Sequence, residues 1–206
     1  MRVLITAGST REYLDPVRFL SNASSGRMGC ALAAAAREAG HAVTLILGPG
    51  TVEPPPVDEL VRITSAADMF EAVLARFDGC DVFISAAAVC DYRPVQREER
   101  KIKKTEGHVT LELERTTDIL LQMSKRRRRQ TLVGFCLETE DLERQAREKL
   151  QVKQLDLVVA NGPQAIDAPR QDALILARGG QRELLQNVTK DELAEAILAA
   201  AVRRRR

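Results

Sequence analysis

The residues with the greatest chemical potential are grouped in three stretches. The first is SNASSGRMG, residues 21–29, preceded by Asp15-Pro16-Val17-Arg18. Ser24 and Ser25 are natural helix caps, and Gly26 and Gly29 allow a ligand to approach the start of the helix that follows. Such a start offers free N–H groups and partial positive charge, which suits a phosphate or an acyl phosphate. Met28 lies within the same turn. Asn22 adds a neutral donor able to polarise a carbonyl, and Arg18 a fixed cation for a carboxylate or phosphate. The second stretch, Ser85-Ala86-Ala87-Ala88-Val89-Cys90-Asp91, leaves a small-residue strand end against which a planar base can lie. Asp91 can accept from a ribose or reach Mg²⁺ through water. In the third, Lys101-Ile102-Lys103-Lys104, the amines can neutralise a triphosphate.

These stretches need a scaffold that brings strand ends together. Continuous apolar runs at 3–6, 42–47, 60–63, 82–86, 132–135 and 157–160 predict strands covered on both faces. Amphipathic stretches at 26–39, 66–76, 117–127, 141–153 and 190–203 predict helices. Gly40 should stop the first as a C′ glycine, and Thr189 with Glu192 should start the last as a capping box. The alternation predicts an α/β, doubly wound, Rossmann-like and mostly parallel sheet with helices on both faces. Ligands of such a sheet bind beyond the carboxyl ends of its strands. Two segments break the rhythm. Residues 91–115 read as a charged flap ending in an alternating strand at 109–114, and 173–185 as a hairpin turning on Gly179-Gly180.

Composition narrows the function. The chain has 206 residues, a formal net charge of +2 and 3% aromatics without tryptophan, so stacking platforms for single-stranded nucleic acid are not expected. The basic runs 125–129 and 203–206 end predicted helices, where cations favour the helix dipole. A nucleic-acid partner is the rival reading of those runs. Four scattered cysteines (Cys30, Cys80, Cys90, Cys136) read as reduced core residues. No apolar run approaches the ~20 residues of a membrane span, and no secretory leader is seen, so a cytoplasmic single domain over 1–206 is expected. A dinucleotide oxidoreductase fits poorly. The first strand is not followed by G-x-G-x-x-G, the second ends in Leu47-Gly48-Pro49 without an acidic residue, and neither tyrosine has a lysine four residues on.

In combination, ITAGSTRE, DPVRFLSNASSGRMG, AAAVCDYRP, KIKK, TTDI, VGFCLET and KLQVKQLDLVVAN, in that order across nearly the whole chain, resemble phosphopantothenoylcysteine synthetase. The resemblance implies a ligase of coenzyme A biosynthesis that joins 4′-phosphopantothenate to L-cysteine through an acyl-cytidylate, consuming CTP and releasing pyrophosphate and CMP. By motif, it gives Asn22 the activated carbonyl, places Arg18 in a loop near a dimer interface, sets Ala88 against the reacting nucleotide, and assigns Lys103 to the phosphates. Ser85, Ala86, Ala87, Asp91, Thr116, Thr117, Asp118, Ile119, Phe135, Lys149 and Lys153 match the family's nucleotide positions. Ser24, Ser25, Gly26 and Met28 belong to the phosphopantothenate loop. Mg²⁺ carried by the nucleotide, no flavin, a homodimer whose flap covers a partner's site, and a free-standing form able to associate with a separate decarboxylase are further implications. The chain departs from the family pattern at Ser9, Arg27, Cys136-Leu137 and Thr116-Thr117, where Gly, Lys, Ala-Ala and Asn-Pro are usual. The last change touches the nucleotide and leaves CTP against ATP open. No base for the cysteine amine is assigned.

Overall fold

The computed structural model describes residues 1–104 and 106–204, so Thr105 of the predicted flap and the last two arginines of the basic tail lie outside the described residues. Six strands run parallel at the centre: β1 (Arg2–Ala7), β4 (Ala42–Leu47), β5 (Glu59–Arg62), β6 (Val82–Ser85), β9 (Thr131–Leu137) and β10 (Leu157–Asn161). β11 (Arg170–Ala177) and β12 (Arg182–Thr189) extend the sheet antiparallel, in the order β12-β11-β10-β9-β6-β1-β4-β5. Five of the six residues of β1 and all five of β10 are buried, as a sheet covered on both faces demands.

Helices α1 (Arg27–Glu38) and α5 (Lys190–Arg203) cover one face, with Leu32, Ala36, Leu193 and Ile197 packed on Val3, Ile5, Val159 and Ile175. On the other face α2 (Ala66–Phe77), α3 (Ile119–Arg126) and α4 (Leu142–Val152) bring Met69, Phe77, Met123 and Ala146 against Leu4, Phe83, Leu132 and Val158. Alanines let α1 and α5 lie close together in a core almost without aromatics. Gly29 is required where α1 crosses β1, because a Cβ there would stand 2.3 Å from that of Ala7.

The end signals of two helices hold. Gly40 takes φ +76° and closes α1, and Thr189 with Glu192 forms both hydrogen bonds of the capping box on α5. α2 has the same device in Ser65 and Asp68. The Gly179-Gly180 hairpin also holds, with longer strands than the apolar pattern indicated.

Three expectations are corrected. The predicted strand at 109–114 shrinks to β8 (Leu113–Arg115), paired with β7 (Tyr92–Pro94). Val109, Leu111 and Leu113 of the alternating run are all exposed, so no buried face fixes a longer register. A short hairpin absent from the expectation, β2 (Arg11–Tyr13) with β3 (Phe19–Ser21), follows the first strand. Its turn is organised by Asp15, whose Oδ1 accepts from the N–H groups of Val17 and Arg18 at 2.7 and 2.9 Å. The third correction, to the serine caps, belongs to the site.

Basic residues at the end of α3 are held in ion pairs. Arg126 pairs with Asp78, and Arg127 with Asp156 at 2.7 Å. The four cysteines are buried, and no disulfide joins them among the described residues. Among the described residues no helix is long and apolar enough to cross a membrane.

Candidate active site

The chain leaves β1 toward β4 and β5 on one side, then returns through β6 and β9 to the other, so β1 and β6 flank the point where strand order reverses. Loops leaving such a pair diverge and open a crevice. Here they are tied at their start. Ala88 N–H donates to the Gly8 carbonyl at 2.8 Å, Thr10 N–H donates to the Ala88 carbonyl at 3.3 Å, and Cys90 N–H donates to Thr10 Oγ1 at 2.9 Å. Ala88 is thus fixed backbone at the floor of a cleft of about 960 Å³.

That cleft gathers most residues that the motifs nominated. Asn22, Ser24, Ser25, Gly26 and Met28 line it from the β3–α1 loop, and Ser85, Ala86, Ala87, Ala88 and Asp91 from the end of β6. Thr116, Thr117, Asp118 and Ile119 line it from the start of α3, Phe135 from β9, and Lys149 and Lys153 from α4. Arg18 and Lys103 do not line the cleft of their own chain. Arg18 is held in the β2–β3 turn, where its Nη1 donates to Asp15 Oδ2 at 2.8 Å and to the Ile102 carbonyl at 3.2 Å. Lys103 is exposed on the arm.

Asp15 ties that turn to the arm. It is fully buried, which by itself would raise its pKa, yet the N–H groups of Val17, Ile102 and Arg18 and the Arg18 guanidinium hold its carboxyl below the usual range. The arm residue Ile102 is therefore hooked to the same carboxylate as Arg18, with its N–H donating to Oδ2 at 3.1 Å.

At the start of α1 the serines do not cap. Gly26 is the N-cap, in the left-handed region at φ +87°, and no side chain caps the helix. Ser25 Oγ turns away to donate to Asp167. The first internal bond runs from Cys30 N–H to the Gly26 carbonyl, so the N–H groups ahead of it are not used by the helix and face the cleft end. Asn22, exposed at the rim, donates through Nδ2 to the Val89 carbonyl at 3.0 Å, which holds its side chain over the Ala88 segment.

The opposite wall is cationic. Asp118 Oδ1 caps α3 by accepting from Leu121 N–H at 3.0 Å, and its Oδ2 pairs with Lys153 at 2.8 Å. Lys149, one turn away, makes no ion pair among the described residues. Burial pushes its ammonium below the ordinary lysine range and the neighbouring Lys153 charge adds to this, while Cys136, Asp118 and Glu138 oppose it. An amine held in this way lacks an anion. Thr116 Oγ1 donates to the Cys90 carbonyl at 2.5 Å and locks the α3 entry to the floor.

Eight polar residues of the cleft were given no site role by the sequence reading: Arg27, Tyr92, Arg115, Glu138, Asn161, Asp167, Gln171 and Lys190. Lys190 directly follows the Thr189 cap, which was a usable signal. Glu138 directly follows β9 and Asn161 ends β10, at the carboxyl edge where such a sheet binds its ligands, whereas Gln171 is brought to that edge by the antiparallel run of β11.

The family model described as the DNA/pantothenate metabolism flavoprotein C-terminal domain matches residues 1–204. The coenzyme A biosynthesis bifunctional protein CoaBC of Bacillus subtilis (strain 168) is 50% identical over 164 residues, covering 79% of this chain and 40% of that protein. The chain thus spans less than half the length of that relative. A crystal structure of the C-terminal domain of coenzyme A biosynthesis bifunctional protein CoaBC is 38% identical, with a TM-score of 0.84 over 96% of this chain and 92% of that one. The DNA/pantothenate metabolism flavoprotein of Streptococcus pneumoniae is 27% identical, with a TM-score of 0.88 over 99% of both chains. With the family model matching residues 1–204 and the fold shared with these solved structures, the chain belongs to the family of the DNA/pantothenate metabolism flavoprotein C-terminal domain.

Proposed function

We propose that this chain is a phosphopantothenate–cysteine ligase of coenzyme A biosynthesis, working through an acyl-cytidylate. The observation that carries the reading is the shape of one cleft with two differently equipped ends. A wall of lysines on α4 lies across the fixed Ala88 backbone from the uncapped start of α1. The relatives named for coenzyme A biosynthesis support the pathway.

The carboxylate of 4′-phosphopantothenate attacks the α-phosphorus of CTP, forming an acyl–phosphate anhydride and releasing pyrophosphate. The amine of cysteine then attacks the acyl carbon, and CMP leaves as the amide forms. Lys149 and Lys153 receive the anionic nucleotide, whose base lies along Ser85–Ala87 and Phe135. A fixed cationic wall of this kind needs no reorganisation as charge moves to the leaving pyrophosphate. The amide of Asn22, oriented by the Val89 carbonyl, holds the activated carbonyl beside Ala88.

Among the described residues no cluster of three or more His, Cys, Asp or Glu side chains could hold a metal unaided. This donor set still fits Mg²⁺, which binds through one or two carboxylates together with substrate phosphates. Of the cleft carboxylates, Asp118 is engaged by Lys153, Asp167 by Ser25 and Glu138 by Cys136, so Asp91 is the one that would contribute. The ion would neutralise triphosphate charge.

Arg18 and Lys103 lie outside their own chain's cleft, and both segments are tied through Asp15. This supports a homodimer in which hairpin and arm are delivered together to a partner's cleft. The exposed Val17, Phe19, Val95, Val109 and Leu111 on those segments supply apolar surface for that contact. The relatives described as bifunctional, of which this chain spans 40% in the Bacillus subtilis protein, support a second activity beside this one, for which we propose a decarboxylase. The deciding assay mixes the protein with phosphopantothenate, cysteine, Mg²⁺ and, in parallel, CTP, ATP or UTP. Release of pyrophosphate and CMP with CTP is expected, and absence of turnover with all three nucleotides would reject the activity.

A further inference from the structure

Two cleft residues that the motifs leave unassigned, Tyr92 and Arg115, stand opposite each other on the β7–β8 ribbon. Directly opposed residues of an antiparallel pair project from one face, and the next pair projects from the other. That other face is closed by an ion pair, in which Arg93 Nε donates to Glu114 Oε1 at 2.8 Å. The face with Tyr92 and Arg115 opens into the cleft. Glu114, the acid next to Arg115 in sequence, is thus already taken, and Arg115 has no ion pair or hydrogen bond of its own among the described residues.

Three segments meet at residues 88–91. Asn22 Nδ2 donates to the Val89 carbonyl at 3.0 Å. Thr116 N–H donates to the Asp91 carbonyl at 2.9 Å, and Thr116 Oγ1 donates to the Cys90 carbonyl at 2.5 Å. Arg115 is therefore stitched to the same short run that carries Ala88 and orients Asn22. Among the described residues, the other cations of the cleft are Arg27, Lys149, Lys153 and Lys190, which stand on or beside α1, α4 and α5. Arg115 is the cation held by the floor itself, next to the place proposed for the activated carbonyl.

The second step of the proposed reaction brings cysteine to that carbonyl. Its amine nitrogen bonds to the acyl carbon, the bond from that carbon to the CMP oxygen breaks with its electron pair leaving on CMP, and the nitrogen gives up a proton to solvent. The carbon that bears the amine also bears a carboxylate. An anion must therefore settle next to the reacting centre, close to the phosphate of the cytidylate. A guanidinium fork matches such a planar anion and offsets its repulsion by the phosphate. We infer that Arg115 binds the α-carboxylate of the acceptor amino acid and thereby selects cysteine over amines that lack one. The assignment rests on the ligase reading above and adds to it a seat for the amino acid.

The test assays the full chain with cysteine and with cysteamine, which has the same amine and thiol but no carboxylate. Wild type, Arg115→Met and Arg115→Lys are compared; Arg115 is exposed, so neither substitution disturbs the core. Wild type should use cysteine about tenfold or more better than cysteamine in kcat/KM. Arg115→Met should lose about 10- to 100-fold in kcat/KM for cysteine, chiefly through KM, with cysteamine kept within about threefold. The preference then disappears, and Arg115→Lys should keep part of it as a point charge in place of a fork. Pyrophosphate release before any acceptor is added should stay within about threefold in both variants. A preference kept in Arg115→Met, or absent from the wild type, overturns the assignment and leaves the ligase reading standing. Equal losses with both acceptors, or slowed acceptor-free pyrophosphate release, place Arg115 at the nucleotide or acyl group and also overturn it. A wild type that releases no pyrophosphate with CTP, ATP or UTP rejects the ligase reading and the assignment with it.

Discussion

Replacing Lys149 by methionine should move stability and nucleotide affinity in opposite directions. In the free protein Lys149 is a desolvated ammonium beside Lys153, without an ion pair of its own among the described residues. Methionine keeps much of the apolar stem and removes the charge, so the free variant should be as stable as the parent or more so, by up to about 1 kcal/mol. For a chain of this length that corresponds to about 2–4 °C in Tm. Because folding lowers the Lys149 pKa, the cost of its charge is present at neutral pH. It fades as pH rises from the lowered pKa to the ordinary lysine value of about 10.4, and the gain from methionine should fade with it. With CTP bound the sign reverses. Losing a charged hydrogen bond to phosphate removes about 1.5–3 kcal/mol, or about 10- to 150-fold in Kd. In the wild type, CTP affinity should also weaken at a lower alkaline pH than an ordinary lysine would give, and the variant should lack that dependence. Differential scanning calorimetry and titration calorimetry on the same preparations measure both quantities. A variant destabilised by more than about 1 kcal/mol with CTP affinity intact would show Lys149 to be a structural group and refute the reasoning.

Asn22→Asp replaces a donor with an anion and sets a carboxylate against the Val89 carbonyl. Amide formation should slow by ~10²–10³ while pyrophosphate release slows far less; rapid-quench measurement of the two half-reactions checks this, and equal slowing would count against the carbonyl role. Asp15→Asn removes part of the acceptor set that joins Val17, Arg18 and Ile102, so the arm should be cut faster by protease, with an uncut arm as the contrary result. In the wild type, the lowered Asp15 pKa gives stability that is present above the ordinary carboxylate value of about 3.9 and lost as pH falls through the lowered one. Acid unfolding should therefore be less pH-dependent in Asp15→Asn than in the parent.

Much of this molecule is legible along the chain wherever a local signal and the packing agree. Continuous apolar runs such as those of β1 and β10 can be buried only between two helical layers. Thr189 with Glu192 and the glycine after α1 act within one turn, so their outcome needs no tertiary information. Prediction stops where a distant contact decides. Ser25 has the chemistry of a cap but is drawn to Asp167, 142 residues away in sequence. The alternation at 109–114 has the strand period but no second layer to bury its apolar side. The β2–β3 hairpin is too short to register as a pattern and depends on one aspartate. Gln171 reads as an ordinary polar strand residue until the reversal of β11 carries it into the cleft.

The same distinction separates the two ends of the site. Asn22 and Ala88, proposed to hold the reacting carbonyl, stand on the β3–α1 loop and just after β6, joined by the Asn22–Val89 hydrogen bond, and the segments leaving β1 and β6 are bonded to each other at Gly8, Thr10 and Ala88. Their spacing in sequence therefore follows their spacing in the fold, and motif and geometry coincide. Arg18 and Lys103, the cations that the motifs nominate, each lie outside their own chain's cleft, and their segments are anchored at Asp15 through Arg18 and Ile102. A motif records which groups must meet; it does not record whether they meet within one chain. The shared carboxylate indicates that the hairpin and the arm move as one unit. Capping a neighbour's cleft would then deliver the arginine and the lysine in a single step, and loosening Asp15 should weaken both contributions together.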